Sequence, residues 1–117
     1  MRVLVTGGRD FNDPDLLNNA LDQLHQQHHF TTLVHGDAKG ADRLAHQWAT
    51  NNNVPTEPHP ANWKKHGKAA GPIRNREMLD TKPELVVAFP GGKGTADMTR
   101  QATNAGIQVV TVQETQT

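Results

Sequence analysis

The sequence predicts an α/β fold: a Rossmann-like three-layer sandwich, a mostly parallel five-stranded sheet with helices on both faces. Three observations predict it. Short β-branched runs alternate with stretches of helical periodicity along the chain. Several of the runs end in glycine-bearing turns that lead into the next helix. The length, 117 residues, fits one domain with one core and leaves little room for a second. Strands that alternate with helices need right-handed crossovers, and these give a parallel sheet covered on both sides.

Each element has its own signal. Arg2 to Thr6 is a compact β-branched run ending at Gly7-Gly8, and it reads as a buried strand. Asp13-Pro14 supplies an N-cap and a first-turn proline, and Leu16, Leu17, Ala20, Leu21 and Leu24 then mark one apolar helical face. Thr31 to His35 is a second strand, ending at Gly36. After Gly40, the residues Ala41, Leu44, Ala45, Trp48 and Ala49 form a clear helical stripe. Val54 to His59 is a weak strand, broken by Pro55 and Pro58 and expected at a sheet edge. A polar loop is expected from Ala61 to Gly71, followed by a short helix from Pro72 to Leu79. Leu85 to Phe89 is a strong buried strand, a helix is expected from Thr95 to Ala105 with Gly106 as its stop, and Ile107 to Val112 closes the sheet. The domain is expected over 1–112, with a polar tail over 113–117.

Composition narrows the function. Twelve basic and twelve acidic side chains cancel, which argues against a general nucleic-acid coat while leaving room for a local basic pocket. There is no cysteine, so disulfides, thiolate catalysis and Cys-based zinc sites are excluded. No signal-peptide pattern and no apolar run of membrane-spanning length is found, so a cytoplasmic protein without membrane contact is expected. His25 and His29 have the i, i+4 spacing of a metal pair, but no carboxylate accompanies them, and a solvated helix end is the expectation. No metal and no cofactor is called for.

The chemistry collects at three turns: Gly7-Gly8-Arg9-Asp10, Gly36-Asp37-Ala38-Lys39-Gly40, and Gly91-Gly92-Lys93-Gly94-Thr95. In a parallel sheet all three lie at the strand C-termini, where ligands bind in open α/β folds. Glycine lets the backbone approach a ligand, and helix N-termini offer unpaired amide donors to an anion. The segment Gly91–Thr95 lacks the Walker spacing, so a P-loop NTPase is not expected. The region before the fourth strand adds Trp63, which can pack or stack on a base, with Arg74, Asn75, Arg76 and Glu77. Arg74 and Arg76 cannot face one direction, because helical residues two apart are separated by about 200°.

Four ordered motifs carry a family resemblance: Gly7–Phe11, His35–Ala45, Ala69–Leu79 and Ala88–Met98. Together they resemble the YspA-like, cpYpsA-related SLOG family over nearly the whole chain. The resemblance implies a Rossmann-like domain that binds nucleotides, nucleotide sugars or NAD-derived molecules, and a homodimer or higher oligomer. The superfamily includes phosphoribohydrolases that cut the bond between an adenine-type base and ribose 5-monophosphate. Matched to their motifs, Arg76 takes the place of the hydrolase arginine. Met98 stands where their glutamate would be, with Asp97 one residue earlier, about 100° round the helix.

By that resemblance the catalytic candidates are Arg76, Asp97 and Glu77, a carboxylate steadying an oxocarbenium-like state. The ligand-binding candidates are Gly7, Gly8, Arg9, Asp10, Gly36, Asp37, Gly40, Ala41, Asp42, Trp63, Arg74, Asn75 and the run Pro90, Gly91, Gly92, Lys93, Gly94 and Thr95. Of Asp10, Asp37 and Asp42, the other carboxylates near the expected sheet edge, Asp42 is the one most expected to be structural. The expected partner is a nucleotide-like small molecule, either hydrolysed at its N-glycosidic bond or held by a non-enzymatic sensor or sequestering protein. A third reading, a single-stranded DNA binder like the DprA-type proteins of the same superfamily, has the neutral charge and few aromatics against it.

Overall fold

The apolar runs pair side by side and all in one direction. The computed structural model describes residues 1–113, and its strands are β1 (Arg2–Thr6), β2 (Thr32–His35), β3 (Thr56–Pro58), β4 (Leu85–Ala88) and β5 (Gln108–Thr111). They form one sheet in the order β3-β2-β1-β4-β5, parallel throughout. Register puts Val3 beside Leu33 on one flank and Leu85 on the other. The helices are α1 (Pro14–His28), α2 (Ala41–Asn51), α3 (Trp63–His66), α4 (Ala70–Asp80) and α5 (Lys93–Asn104).

Strand periodicity divides the core in two. Val3, Val5, Leu85 and Val87 point to one face and pack with Leu17 and Leu21 of α1 and Ala45, Trp48 and Ala49 of α2. Leu4 and Val86 point to the other, against Met78 of α4 and Met98 and Ala102 of α5. The sheet therefore has no solvent face, which is why its central strands read as unbroken apolar runs.

The sequence signals that name specific atoms are realised locally. Asp13 caps α1, its Oδ1 accepting the Leu16 N–H at 3.1 Å, and Pro14 occupies the first turn. At the other end of α1 the structure departs from a merely solvated terminus. His25 Nδ1 accepts the Phe30 N–H at 2.9 Å, and its ring meets Trp48 edge-on. Trp48 in turn donates its indole N–H to Asp22 Oδ1 at 2.8 Å, stapling α1 to α2.

Three boundaries differ from expectation. The polar stretch 61–71 is not a loop: Asn62 caps the four-residue α3 through the Lys65 N–H, a 3-10 turn spans Gly67–Ala69, and α4 begins at Ala70. A single turn is too short to show an apolar period. Helix α5 starts at Lys93, two residues before the expected Thr95, because glycine's low helix propensity masks a first turn that tertiary contacts hold. Strand β3 shrinks to the three residues Thr56–Pro58, starting after Pro55, and lies at the sheet edge. Of the polar tail expected over 113–117, residues 114–117 lie outside the described residues. Among the described residues no helix is long and apolar enough to cross a membrane.

Leu21 is fully buried between α1 and the sheet. Leu21→Ala should cost about 2–5 kcal/mol of folding stability, read as a fall in the urea midpoint with an unchanged slope.

Candidate functional site

The strand order fixes where a site can form. From β1 the chain steps outward to β2 and β3, then returns to β4 on the opposite side of β1. The turns after β1 and β4 thus leave in opposite directions and open a crevice at their C-terminal ends. A cavity of about 1130 Å³ occupies that place.

Backbone contacts draw the turns together. The Gly8 N–H donates to the Pro90 carbonyl at 2.9 Å, and the Gly8 carbonyl accepts the N–H of Ala41 at 3.2 Å and of Phe11 at 3.3 Å. The backbone of one residue thereby joins the β1 turn to the β4 turn and to the start of α2. Two glycines make this possible. Gly40 adopts φ +77°, and a Cβ there would run into the Gly8 and Arg9 carbonyls. A Cβ on Gly91 would strike Thr95 Oγ1 and come within 2.6 Å of the Gly8 nitrogen. The first turn of α5 has no side-chain cap, so its leading amides face the cavity unpaired by any side chain.

Helix α4 braces the far wall. Arg74 donates from Nη1 to the Gly36 carbonyl at 2.6 Å, and from Nε to Asn75 Oδ1 at 3.2 Å. Asn75, buried, donates from Nδ2 to the Gly94 carbonyl at 3.2 Å and to Asp97 Oδ2 at 3.0 Å. The α5 turn is thus hung on α4. At the rim, the Arg9 guanidinium carbon lies 5.4 Å from the centre of the Trp63 ring, and Trp63 is 49% exposed.

The cavity gathers most of the expected binding residues. Gly7, Gly8, Arg9 and Asp10 line it, as do Asp42, Trp63, Arg74 and Asn75, and so does the run Pro90 to Thr95. Gly36, Asp37, Gly40 and Ala41 do not line it but shape the β2–α2 loop beside it. The three catalytic candidates fall elsewhere. Arg76 and Glu77 are exposed on α4 and line no part of the cavity, whereas Arg74 lines it. The 200° between the two arginines sends one inward and the other to solvent. Asp97 is tied down between helices, with Oδ2 accepting from Asn75 and Gln101 and Oδ1 from Arg100.

Sequence reasoning missed a polar wall at the start of α1, where Asn12, just before the helix, and Asp15 and Asn19 on it line the cavity. The Asp13-Pro14 helix start carried the signal: a helix that begins right after the β1 turn presents its first turns to the same rim. Asp15 and Asn19, four apart, share a helical face. The cavity lining consequently carries both signs of charge, with Arg9, Arg74 and Lys93 beside Asp10, Asp13, Asp15 and Asp42.

Two buried titratable groups flank the β2–α2 loop. Burial pushes the Asp42 carboxyl up to about 6, against the pull of the Ala38 N–H, the Arg74 guanidinium and the Gly36 N–H. Burial, reinforced by neighbouring His46, holds His35 down at about 4. His35 Nδ1 accepts the Asp37 N–H at 3.0 Å, so its proton sits on Nε2 and is donated to His46 Nδ1 at 3.1 Å.

The two groups oppose each other on titration. A raised carboxyl favours the fold at low pH and loses that contribution as pH rises from about 4 to about 6. A depressed imidazole favours the fold at high pH and loses its contribution as pH falls from 6.5 to about 4. Wild-type stability should therefore vary little across this window. Asp42→Asn should expose the histidine alone, losing on the order of 3 kcal/mol between about pH 6.5 and 4, read by urea unfolding at each pH. Gly91→Ala should lose about 1–3 kcal/mol through its clash with Gly8 and Thr95. Gly94→Ala, whose Cβ meets nothing within 4 Å, should keep or gain about 0.5–1 kcal/mol in the same assay.

The family comparison covers the first two of the four motifs, Gly7–Phe11 and His35–Ala45. The family model described as YspA, cpYpsA-related SLOG family matches residues 1–66. The Gene 61 protein of Mycobacterium phage D29 is 42% identical over 117 aligned residues, covering 93% of this chain and 94% of its own. With its glycine turns meeting at the strand ends and a family match over the first half, this chain belongs to the YspA, cpYpsA-related SLOG family.

Proposed function

We propose that this chain binds a nucleotide or nucleotide-derived ligand, a nucleoside phosphate or an ADP-ribose-like molecule, in the crevice between β1 and β4. The observation that carries the reading is the convergence of the Gly8 and Gly91–Thr95 turns on one cavity, with Arg74 and Lys93 on its walls. Uncapped amides at the start of α5, the helix dipole and a guanidinium suit a phosphate. The acceptors and amides of the α1 wall suit the hydroxyls and ring edges of the rest of such a ligand.

Of the two versions of this function, sensing or sequestering is favoured over N-glycoside hydrolysis. Hydrolysis by the residues that match the phosphoribohydrolase motifs needs Arg76 with Glu77 or Asp97 at the reacting bond. The first two are exposed off the cavity, and all of Asp97's oxygens are engaged. A single-stranded DNA binder would need a row of stacking platforms, whereas Trp63 is the exposed large apolar side chain among the described residues. A homo-oligomer, which the family resemblance implies, belongs to the same proposal, and sedimentation velocity reads it directly.

Thermal melting with ribose 5-phosphate, AMP and ADP-ribose tests the reading. A ligand at about a hundred times its Kd should stabilise the fold by about 2.7 kcal/mol and raise the midpoint by several degrees. Arg74→Ala should weaken that ligand roughly tenfold to a hundredfold in calorimetric titration, while Arg76→Ala leaves it within about twofold. Absence of any shift across the three would sink the proposal, and released free base would restore the hydrolase version.

A further inference from the structure

A buried carboxylate costs free energy unless its oxygens find donors, so one left open toward a cavity awaits a partner. Asp42 is in that position. It is 6% exposed. Its Oδ2 accepts the Gly36 N–H at 3.1 Å and the Ala38 N–H at 3.3 Å. Oδ1 has no hydrogen-bond partner among the described residues, yet it is not sealed off, because Asp42 lines the cavity. Arg74 faces it from α4 but commits Nη1 to the Gly36 carbonyl, and the two form no ion pair among the described residues.

Charge decides what can meet Oδ1. A carboxylate oxygen repels phosphate oxygens, so the part of a ligand that meets Oδ1 itself must present hydrogen-bond donors. Beside Asp42 lie the Gly36–Ala38 backbone and Arg74, which offer no apolar ring face for a base. The ring that does offer one, Trp63, stands at the rim. Sugar hydroxyls fit the remaining description: small, polar and able to donate.

Resting on the nucleotide reading above, we propose that Asp42 is the specificity-determining residue of this site, its Oδ1 accepting a hydrogen bond from a ribose hydroxyl of a nucleoside phosphate. It thereby holds the ligand's sugar while its Oδ2 holds the β2–α2 loop. The same side chain couples loop shape to ligand choice.

The test compares AMP with 2′-deoxy-AMP and 3′-deoxy-AMP by calorimetric titration of the full chain. Wild type should prefer AMP over at least one deoxy form by roughly tenfold to a hundredfold, the worth of a hydrogen bond to a charged acceptor. In Asp42→Asn the side-chain carbonyl can still take both loop N–H groups, while an NH2 replaces Oδ1. That preference should fall at least about fivefold, with the melting temperature retained. Lowering the pH of wild type through about 6 should also erode the preference, as the carboxyl takes up its proton. The charged groups facing Asp42 are Asp37 from its own loop and Arg74 from α4. The ligand's own phosphate titrates alike in all three nucleotides and cancels in the ratio.

Equal binding of the three nucleotides by wild type would overturn the inference and leave the nucleotide reading standing. So would an equal loss of all three in Asp42→Asn, which is what a purely structural role predicts. No binding of any nucleotide overturns both. If Asp42→Asn does not fold, Asp42→Ser and the wild-type comparison decide: a deoxy discrimination kept in Asp42→Ser, or equal binding of the three nucleotides by wild type, rejects the role of Asp42.

Discussion

The backbone of Gly8 is the joint on which the site hangs. Its N–H is spent on the Pro90 carbonyl and its carbonyl on the N–H groups of Ala41 and Phe11. These bonds fasten together the ends of β1 and β4 and the start of α2, which the topology brings near but does not lock. The fastening works only at van der Waals distance between backbones, so Gly40 and Gly91 have no room for a Cβ. A cavity whose floor is backbone cannot be reshaped by changing rotamers. That rigidity suits a site that recognises an anion by amide geometry, since donors already in place need not be ordered by the ligand.

Helix α4 and the α5 turn extend the same logic from backbone to side chains. Asn75 uses one amide group to hold both the Gly94 carbonyl and the Asp97 carboxylate. Arg74, one position earlier, reaches the Gly36 carbonyl across the cavity wall. Neighbours in sequence therefore brace the β4 turn and the β2 turn respectively. Asp97 is best understood as part of this brace. Its three partners come from Asn75, Gln101 and Arg100, and breaking them would release the helix that carries the uncapped turn.

The β2–α2 loop carries the electrostatic tension of the molecule. Asp42 and His35 are both buried, and burial drives each toward its neutral form. Each is fixed by loop amides: Asp42 by Gly36 and Ala38, His35 by Asp37, whose φ of 55° is a left-handed conformation that few side chains tolerate. Their titrations act on folding stability with opposite signs, so the two contributions offset each other even though each group still changes its charge at its own pH.

How much of this could be read in advance differs sharply between fold and site. The runs Arg2–Thr6 and Leu85–Phe89, the α1 cap at Asp13 and the stripe on α2 were legible because each depends on neighbours within one or two turns. The convergence of glycine turns was also legible, since parallel strands must end on a common edge. Helix α3 was not, because a single turn has no period to show. Nor could the roles of the carboxylates be read. Asp42, Asp97 and Glu77 look alike in sequence, and only the packing of α4 between the loop and α5 buries the first, engages the second and leaves the third in solvent. The sequence by itself determined the layers, the parallel sheet and the edge where ligands gather, since these follow from local periodicity and strand chirality. Tertiary structure alone decided which arginine and which carboxylate face the cavity, because facing is set by long-range contacts such as Arg74 to Gly36, which no local pattern encodes.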